Sequence, residues 1–263
     1  MSRIGDIFGN PKRRKLLIPF FTSGYPTRAK SVELVRVALD SGADMVELGM
    51  PFSDPMADGS EIQLSSQTAL DRGHTMADLF GTVTKIRSAS AVPLILMGYF
   101  NPVLAHGLDK FTSRLAECGG DGLIIPDLPV DEAAQLAVPA ERNGLSMVYL
   151  IAPTSSRSRV AAIDRAATDF AYAVTVTGVT GGRSGYRKET MQYLRGLKHQ
   201  LTKPFVAGFG VSSPESARQL AHYADGVVIG SALIKTYRTS PNHQTGLIAV
   251  GHLLKSIRRG LDR

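Results

Sequence analysis

The stretch PFVAGFGVSSPESARQLAHYADGVVIGSA, residues 204–232, contains one full repeat of a pattern and the start of the next. Pro204–Ala207 is an apolar run of strand length, followed by the glycine- and serine-rich Gly208–Ser213. Ser213-Pro214-Glu215 then supplies a capping hydroxyl, a proline at the first helical position and an early acid. A helix is expected from Pro214 to His222. A second apolar run, Gly226–Ile229, follows and leads into Gly230-Ser231-Ala232.

The same alternation extends back along the chain. Leu16–Phe21, Met45–Leu48, Pro93–Gly98, Gly122–Ile125, Met147–Ile151 and Ala171–Val176 bring the strand-like runs to eight. They are near-continuously hydrophobic, as parallel strands covered by helices should be. Helical spacing is read in Ala29–Asp40, Glu61–Ser88, Asp109–Cys118, Asp131–Arg142, Arg157–Ala167, Lys188–Gln200 and Gly246–Arg259. Gly42, Gly119 and Gly144 follow helical patterns where a left-handed stop is wanted. Eight such units predict an α/β chain closed into a (β/α)8 TIM barrel; five or six would have suggested an open doubly wound sheet. No composition break resembles a linker, so residues 1–263 are expected to form a single domain. The connections Pro51–Ser60 and Thr177–Arg187 read as long loops on the strand-to-helix face, where barrels build their active sites.

Composition narrows the class. Hydrophobic residues make up 43% and charged residues 20%, which supports a core and argues against disorder. No segment approaches the roughly 18 consecutive apolar residues of a membrane span. The N-terminus lacks the apolar stretch and cleavage site of a secretory signal. One cysteine, Cys118, excludes an intrachain disulfide and suits a reducing compartment, so a cytoplasmic location is expected. The net charge of +7 favours an anionic ligand. Beyond Lys12–Lys15 and Arg258–Arg259, however, the basic residues are scattered and not interleaved with aromatics, so nucleic acid is not the expected partner.

The loops after the seventh and eighth runs, around Gly210 and at Gly230-Ser231, occupy the recurrent phosphate position of barrels. Glycines there let backbone N–H groups approach an anion, although tight turns alone also need glycine. Glu47 lies inside an apolar strand near its C-terminal end, where an acid costs free energy unless it is paired or used. Asp54 and Asp58 lie in the following loop, and each is also a plausible turn former, as is Asp127 after the fourth strand. The six histidines are dispersed with no metal-ligand spacing, and a thiolate zinc site lacks its cysteines. Cys118 reads as packing. No lysine stands at the C-terminal end of a strand, so a Schiff-base mechanism lacks its nucleophile. General acid–base catalysis without metal or cofactor is the chemistry that remains.

Several segments together carry a resemblance: Phe20-Phe21-Thr22-Ser23-Gly24-Tyr25-Pro26, Glu47–Pro55 with Ala57-Asp58-Gly59, Met97–Pro102, Gly178-Val179-Thr180-Gly181 and Gly208–Ser212. They resemble, in order from about Leu16 to Lys235, the tryptophan synthase alpha subunit family. The resemblance implies retro-aldol cleavage of indole-3-glycerol phosphate to indole and glyceraldehyde 3-phosphate. It implies Glu47 as general acid/base and Asp58 as acceptor of the indole N–H. It also implies Phe20, Tyr99 and Tyr172 around the indole, and Thr180 closing over Asp58. Gly181, Gly210, Gly230 and Ser231 would hold the phosphate.

The resemblance further implies a beta-subunit partner carrying pyridoxal phosphate in an α2β2 complex, and no cofactor on this chain. The partner would meet the Pro51–Asp58 loop, Asn101–Pro102 and Pro129. Two departures from the family pattern affect loops. Ser60 stands where proline is usual, and Gly182 adds freedom to the sixth loop. A free-standing lyase would use the same core residues, and a phosphosugar isomerase would share only the phosphate cradle.

Overall fold

Nine parallel strands build the sheet among the described residues. They are β1 (Leu16–Thr22), β2 (Val46–Gly49), β3 (Leu94–Met97), β4 (Gly122–Ile124), β5 (Ser146–Val148), β6 (Leu150–Ile151), β7 (Ala171–Val174), β8 (Phe205–Gly208) and β9 (Gly226–Ile229). The computed structural model describes residues 2–10, 14–175 and 186–262. The order β5-β4-β3-β2-β1-β9-β8-β7-β6 joins the first strand to the last through β1 and β9, with Leu16 beside Gly226 and Ile18 beside Val228. Only Tyr149 separates β5 from β6, and its carbonyl accepts from Tyr172 N at 3.0 Å. The two pieces are therefore one stave, and the structure is a (β/α)8 barrel of eight staves, the fifth interrupted at Tyr149.

Strand parity sorts the apolar residues into two cores. Leu17, Phe21, Val46, Leu48, Leu94 and Leu96 face the helices. Ile18, Phe20, Met45, Ile95, Met97, Ile124, Val148, Tyr172, Val206 and Val228 fill the barrel. The helix Arg3–Gly9, not anticipated from sequence, closes the N-terminal end of the barrel by placing Ile4 and Phe8 in the inner core. Ser2 donates to Asp169 at 2.9 Å and Arg3 pairs with Asp121 at 2.8 Å.

Gly42, Gly119 and Gly144 have φ of +92°, +88° and +68°, and Ser213 caps Pro214–Ala221 as read from sequence. The long pattern Glu61–Ser88 is two helices, Ser60–Asp71 and Met76–Ala89. Thr75 and Asp78 form a capping box that starts the second. A short helix, Phe100–His106, precedes Leu108–Glu117, and another, Ser231–Arg238, follows β9; neither has a side-chain cap to mark its start, and neither was read from the sequence. The basic residues singled out from sequence are partly internal: Arg14 pairs with Asp44 at 2.9 Å, and buried Arg258 pairs with Asp44 at 2.9 Å and Asp262 at 2.7 Å. Lys12 and Arg13 lie outside the described residues.

Candidate active site

Glu47 is only 2% exposed. It shares the inward parity of Met45 and stands in register with Phe20 of β1 and Ile95 of β3. Among the described residues no cation and no hydrogen-bond donor pairs with it, so the structural ion pair that sequence left open is absent there. Burial pushes its pKa up to about 8, and the nearby charge of Asp58 acts in the same direction.

Asp58 and Asp54 part company in the loop after β2. Asp54 stays exposed and accepts from Ser53 at 2.5 Å. Asp58 turns inward, and burial raises its pKa while a hydrogen bond from Tyr99 opposes the rise. The Tyr99 hydroxyl also accepts from Ala57 N at 2.9 Å, so one phenol grips the loop twice. Its ring stacks on Phe52 with centroids 5.2 Å apart. Tyr99 is set by its own neighbours: Asp127 accepts from Phe100 N at 2.9 and 3.1 Å, tying down the start of the helix that Tyr99 precedes. Ser60 takes the first helical position after Gly59, and Gln63 donates to the Asp58 carbonyl at 2.8 Å, so the loop is fastened without the usual proline.

Phe20 and Tyr172 lie in the inner core. A Cβ on Gly49 would stand 2.5 Å from Phe20 Cζ, so the absence of a side chain there makes room for the ring. Burial, then Glu47, Tyr186 and Asp58, all push the Tyr172 pKa up, placing its phenol in the same electrostatic neighbourhood as the two acids.

The two glycine loops differ in how they treat their helices. Phe209 has φ +77°, a strained left-handed conformation for a side chain of this size. The Thr175 hydroxyl lies 2.5 and 2.6 Å from the Gly208 and Phe209 carbonyls and shares its one proton between them, and Tyr186 donates to the Phe209 carbonyl at 3.2 Å. Thr175 and Tyr186 were missed from sequence; a bulky residue flanked by glycines after a strand was the available signal. The helix Pro214–Ala221 is already capped by Ser213 and Ser216. The helix Ser231–Arg238 has Gly230 at its N-cap and no side-chain cap, leaving its first N–H groups available to an anion. Register between β8 and β9 sets Gly210 and Gly230 on neighbouring loops. Thr180, Gly181 and Gly182 lie outside the described residues.

Among the described residues, no three His, Cys, Asp or Glu side chains converge to hold a metal ion. No helix there is long and apolar enough to cross a membrane.

Comparison with known proteins matches this arrangement. The family model described as tryptophan synthase alpha chain matches residues 9–257. The tryptophan synthase alpha chain of Geobacter sulfurreducens is 45% identical over 239 residues, 90% of either chain. The crystal structure of the alpha chain from Legionella pneumophila superposes with a TM-score of 0.91 at 35% identity, covering 100% of this chain and 98% of that one. The aminoacrylate-bound tryptophan synthase of M. tuberculosis gives 0.87 at 34% identity, covering 99% and 100%. With matches of this identity across nearly its whole length, the chain belongs to the tryptophan synthase alpha chain family, lyase enzymes of tryptophan biosynthesis.

Proposed function

We propose that the chain cleaves indole-3-glycerol phosphate to indole and glyceraldehyde 3-phosphate, with Glu47 as general acid and base and Asp58 as the charge-stabilising carboxylate. The observation that carries this reading is Glu47 itself: a buried carboxyl inside the barrel, without a pairing partner among the described residues, beside a second carboxylate. With its pKa near 8, Glu47 holds its proton at neutral pH. It delivers that proton to the ring carbon bearing the side chain. The ring nitrogen then carries positive charge, which ionised Asp58 stabilises while Tyr99 donates to that carboxylate.

The resulting carboxylate of Glu47 takes the proton of the glycerol hydroxyl beside the ring. A carbonyl forms, the carbon–carbon bond breaks, and its electron pair returns to the indole. The proton count closes on Glu47. The protonated ring is the electron sink, so the reaction calls on neither lysine nor metal nor cofactor. Burial raises the pKa of both carboxyls, and the difference between them sets the roles: nothing among the described residues offsets the desolvation of Glu47, whereas the Tyr99 hydrogen bond partly offsets that of Asp58 and favours its charged form. Phe20 and Tyr172 flank the indole. Gly210, Gly230 and Ser231 hold the phosphate through backbone N–H groups; the family resemblance adds Gly181 to the phosphate contacts and Thr180 to the Asp58 contacts, both outside the described residues.

We further propose a beta subunit as partner, in an α2β2 complex with pyridoxal phosphate on the partner. Met56, 91% exposed in the Asp58 loop, and Leu104, 50% exposed on the helix after Tyr99, supply apolar surface beside the predicted Asn101–Pro102 and Pro129 contacts. The lone buried cysteine suits the cytoplasm.

The test is indole release from indole-3-glycerol phosphate, with and without a beta subunit. Glu47→Gln is expected to lose about 10²–10⁴ in rate. Near-normal cleavage by that variant would reject the assignment.

A further inference from the structure

The helix Ser60–Asp71 begins just after Asp58, and the helix Ser231–Arg238 begins at the uncapped turn of Gly230. A bidentate ion pair joins them. Arg238 Nε donates to one oxygen of Glu61 at 3.0 Å and Nη2 to the other at 2.9 Å. Bidentate pairing of this kind fixes orientation as well as distance. Glu61 lies in the first turn of its helix and Arg238 in the last turn of the other, so each charge also suits its own helix dipole.

Both ends of the fork are anchored. Beside Arg238, the Tyr237 hydroxyl bonds His243 Nδ1 at 2.8 Å, and His243 Nε2 meets Glu33 at 2.8 Å. The Tyr237 ring stands edge-on to buried Tyr25, with centroids 6.2 Å apart. On the other side Gln63 donates to the Asp58 carbonyl at 2.8 Å, and Ser65 bonds Thr22 at the end of β1 at 2.6 Å. These contacts form a continuous path from the helix that starts at Gly230, through Arg238 and Glu61, to the backbone that carries Asp58.

We propose that Glu61 and Arg238 are positioning residues whose ion pair couples anion binding at the Gly230–Ser231 turn to the placement of Asp58. This rests on the functional reading above. With Glu61 20% and Arg238 41% exposed, the pair adds little to global stability, so its loss belongs in turnover and local order, not in the melting temperature.

The full chain carries the test in two readouts. In hydrogen exchange, saturating inorganic phosphate slows amides in both Ser231–Arg238 and Ser60–Asp71 of the wild type, and only the former in Glu61→Gln. In steady-state cleavage, Glu61→Gln and Arg238→Gln each lower kcat about tenfold, short of the ~10²-fold that a 1 Å misplacement can cost. The charge swap Glu61→Arg with Arg238→Glu recovers most of that loss, and melting temperatures stay close to wild type. Phosphate protection confined to Ser231–Arg238 in the wild type, or absent from both helices, overturns the inference. So do single variants with wild-type kcat, or a swap that restores nothing. Indole release that is absent while phosphate still protects both helices would reject the functional reading and leave the coupling standing.

Discussion

The hydroxyl of Tyr172 fills the space in front of Gly208, where a Cβ would come within 1.9 Å of it and 2.6 Å of ring Cζ. Tyr172 is buried and electrostatically coupled to Glu47, so its position bears on the catalytic carboxyl. Gly208→Ala is expected to destabilise by about 1–3 kcal/mol through overpacking and to lower kcat by displacing the phenol. Adding Tyr172→Leu removes the clashing atoms, and the double variant should be more stable than Gly208→Ala alone. Strictly additive effects in urea denaturation would contradict this contact.

The pH profile should report Glu47. Because the acid form starts the reaction, kcat/KM should fall as pH rises through about 8. A profile flat from pH 7 to 9.5 would count against Glu47 as the acid.

The same shift has a stability consequence. A carboxyl whose folded pKa is raised from 4.5 to about 8 favours the folded state fully below 4.5, and this contribution is lost as pH rises through 8. Glu47→Gln removes the loss, so it should stabilise the protein by about 1–3 kcal/mol at pH 8 while abolishing most activity. Urea midpoints of both proteins at pH 4.5 and 8 check it: the difference must grow with pH.

Tyr99→Phe deletes the donor to Asp58 and the acceptor for Ala57 N together. Loss of a hydrogen bond to a charged group costs about 1.5–3 kcal/mol, so kcat/KM should fall about 10- to 100-fold. The Asp58 pKa should rise further, moving the acidic limb of the rate profile upward. Equal kcat/KM in the two proteins would remove Tyr99 from the site.

His74 gives an acid-side prediction. It is buried, with Nε2 against Ser23 at 3.0 Å and Nδ1 without a partner among the described residues, and burial lowers its pKa. For a depressed histidine the unfolded chain takes up the proton first, so stability is lost as pH falls below 6.5. Between pH 7.5 and 5.5, wild type should lose about 1 kcal/mol more than His74→Gln in urea titrations. A variant that tracks wild type would exclude His74 as the source.

Local pattern carried much of this molecule. Eight apolar runs separated by helical spacing admit few closed arrangements. An acid at Glu47 within Met45–Leu48 is conspicuous because the residues around it are apolar. Glycines after the last two strands are legible for the same local reason. The matching family segments then named the chemistry. The helix break at residues 72–75 was also written locally, in Gly73 and the Thr75–Asp78 box, but the continuing apolar pattern masked it.

Other features depend on distant parts of the chain meeting. Asp54 and Asp58 are equivalent as turn formers, and Tyr99, about 40 residues away, selects Asp58 through its phenol. The burial of Glu47, and the raised pKa that results, follow from packing against β1 and β3, not from its sequence neighbours. Interruption of the fifth stave at Tyr149, the Arg3–Gly9 plug and the Glu61–Arg238 fork likewise arise only when the barrel closes. Period and punctuation are properties of neighbours in the chain, whereas desolvation and pairing are properties of neighbours in space.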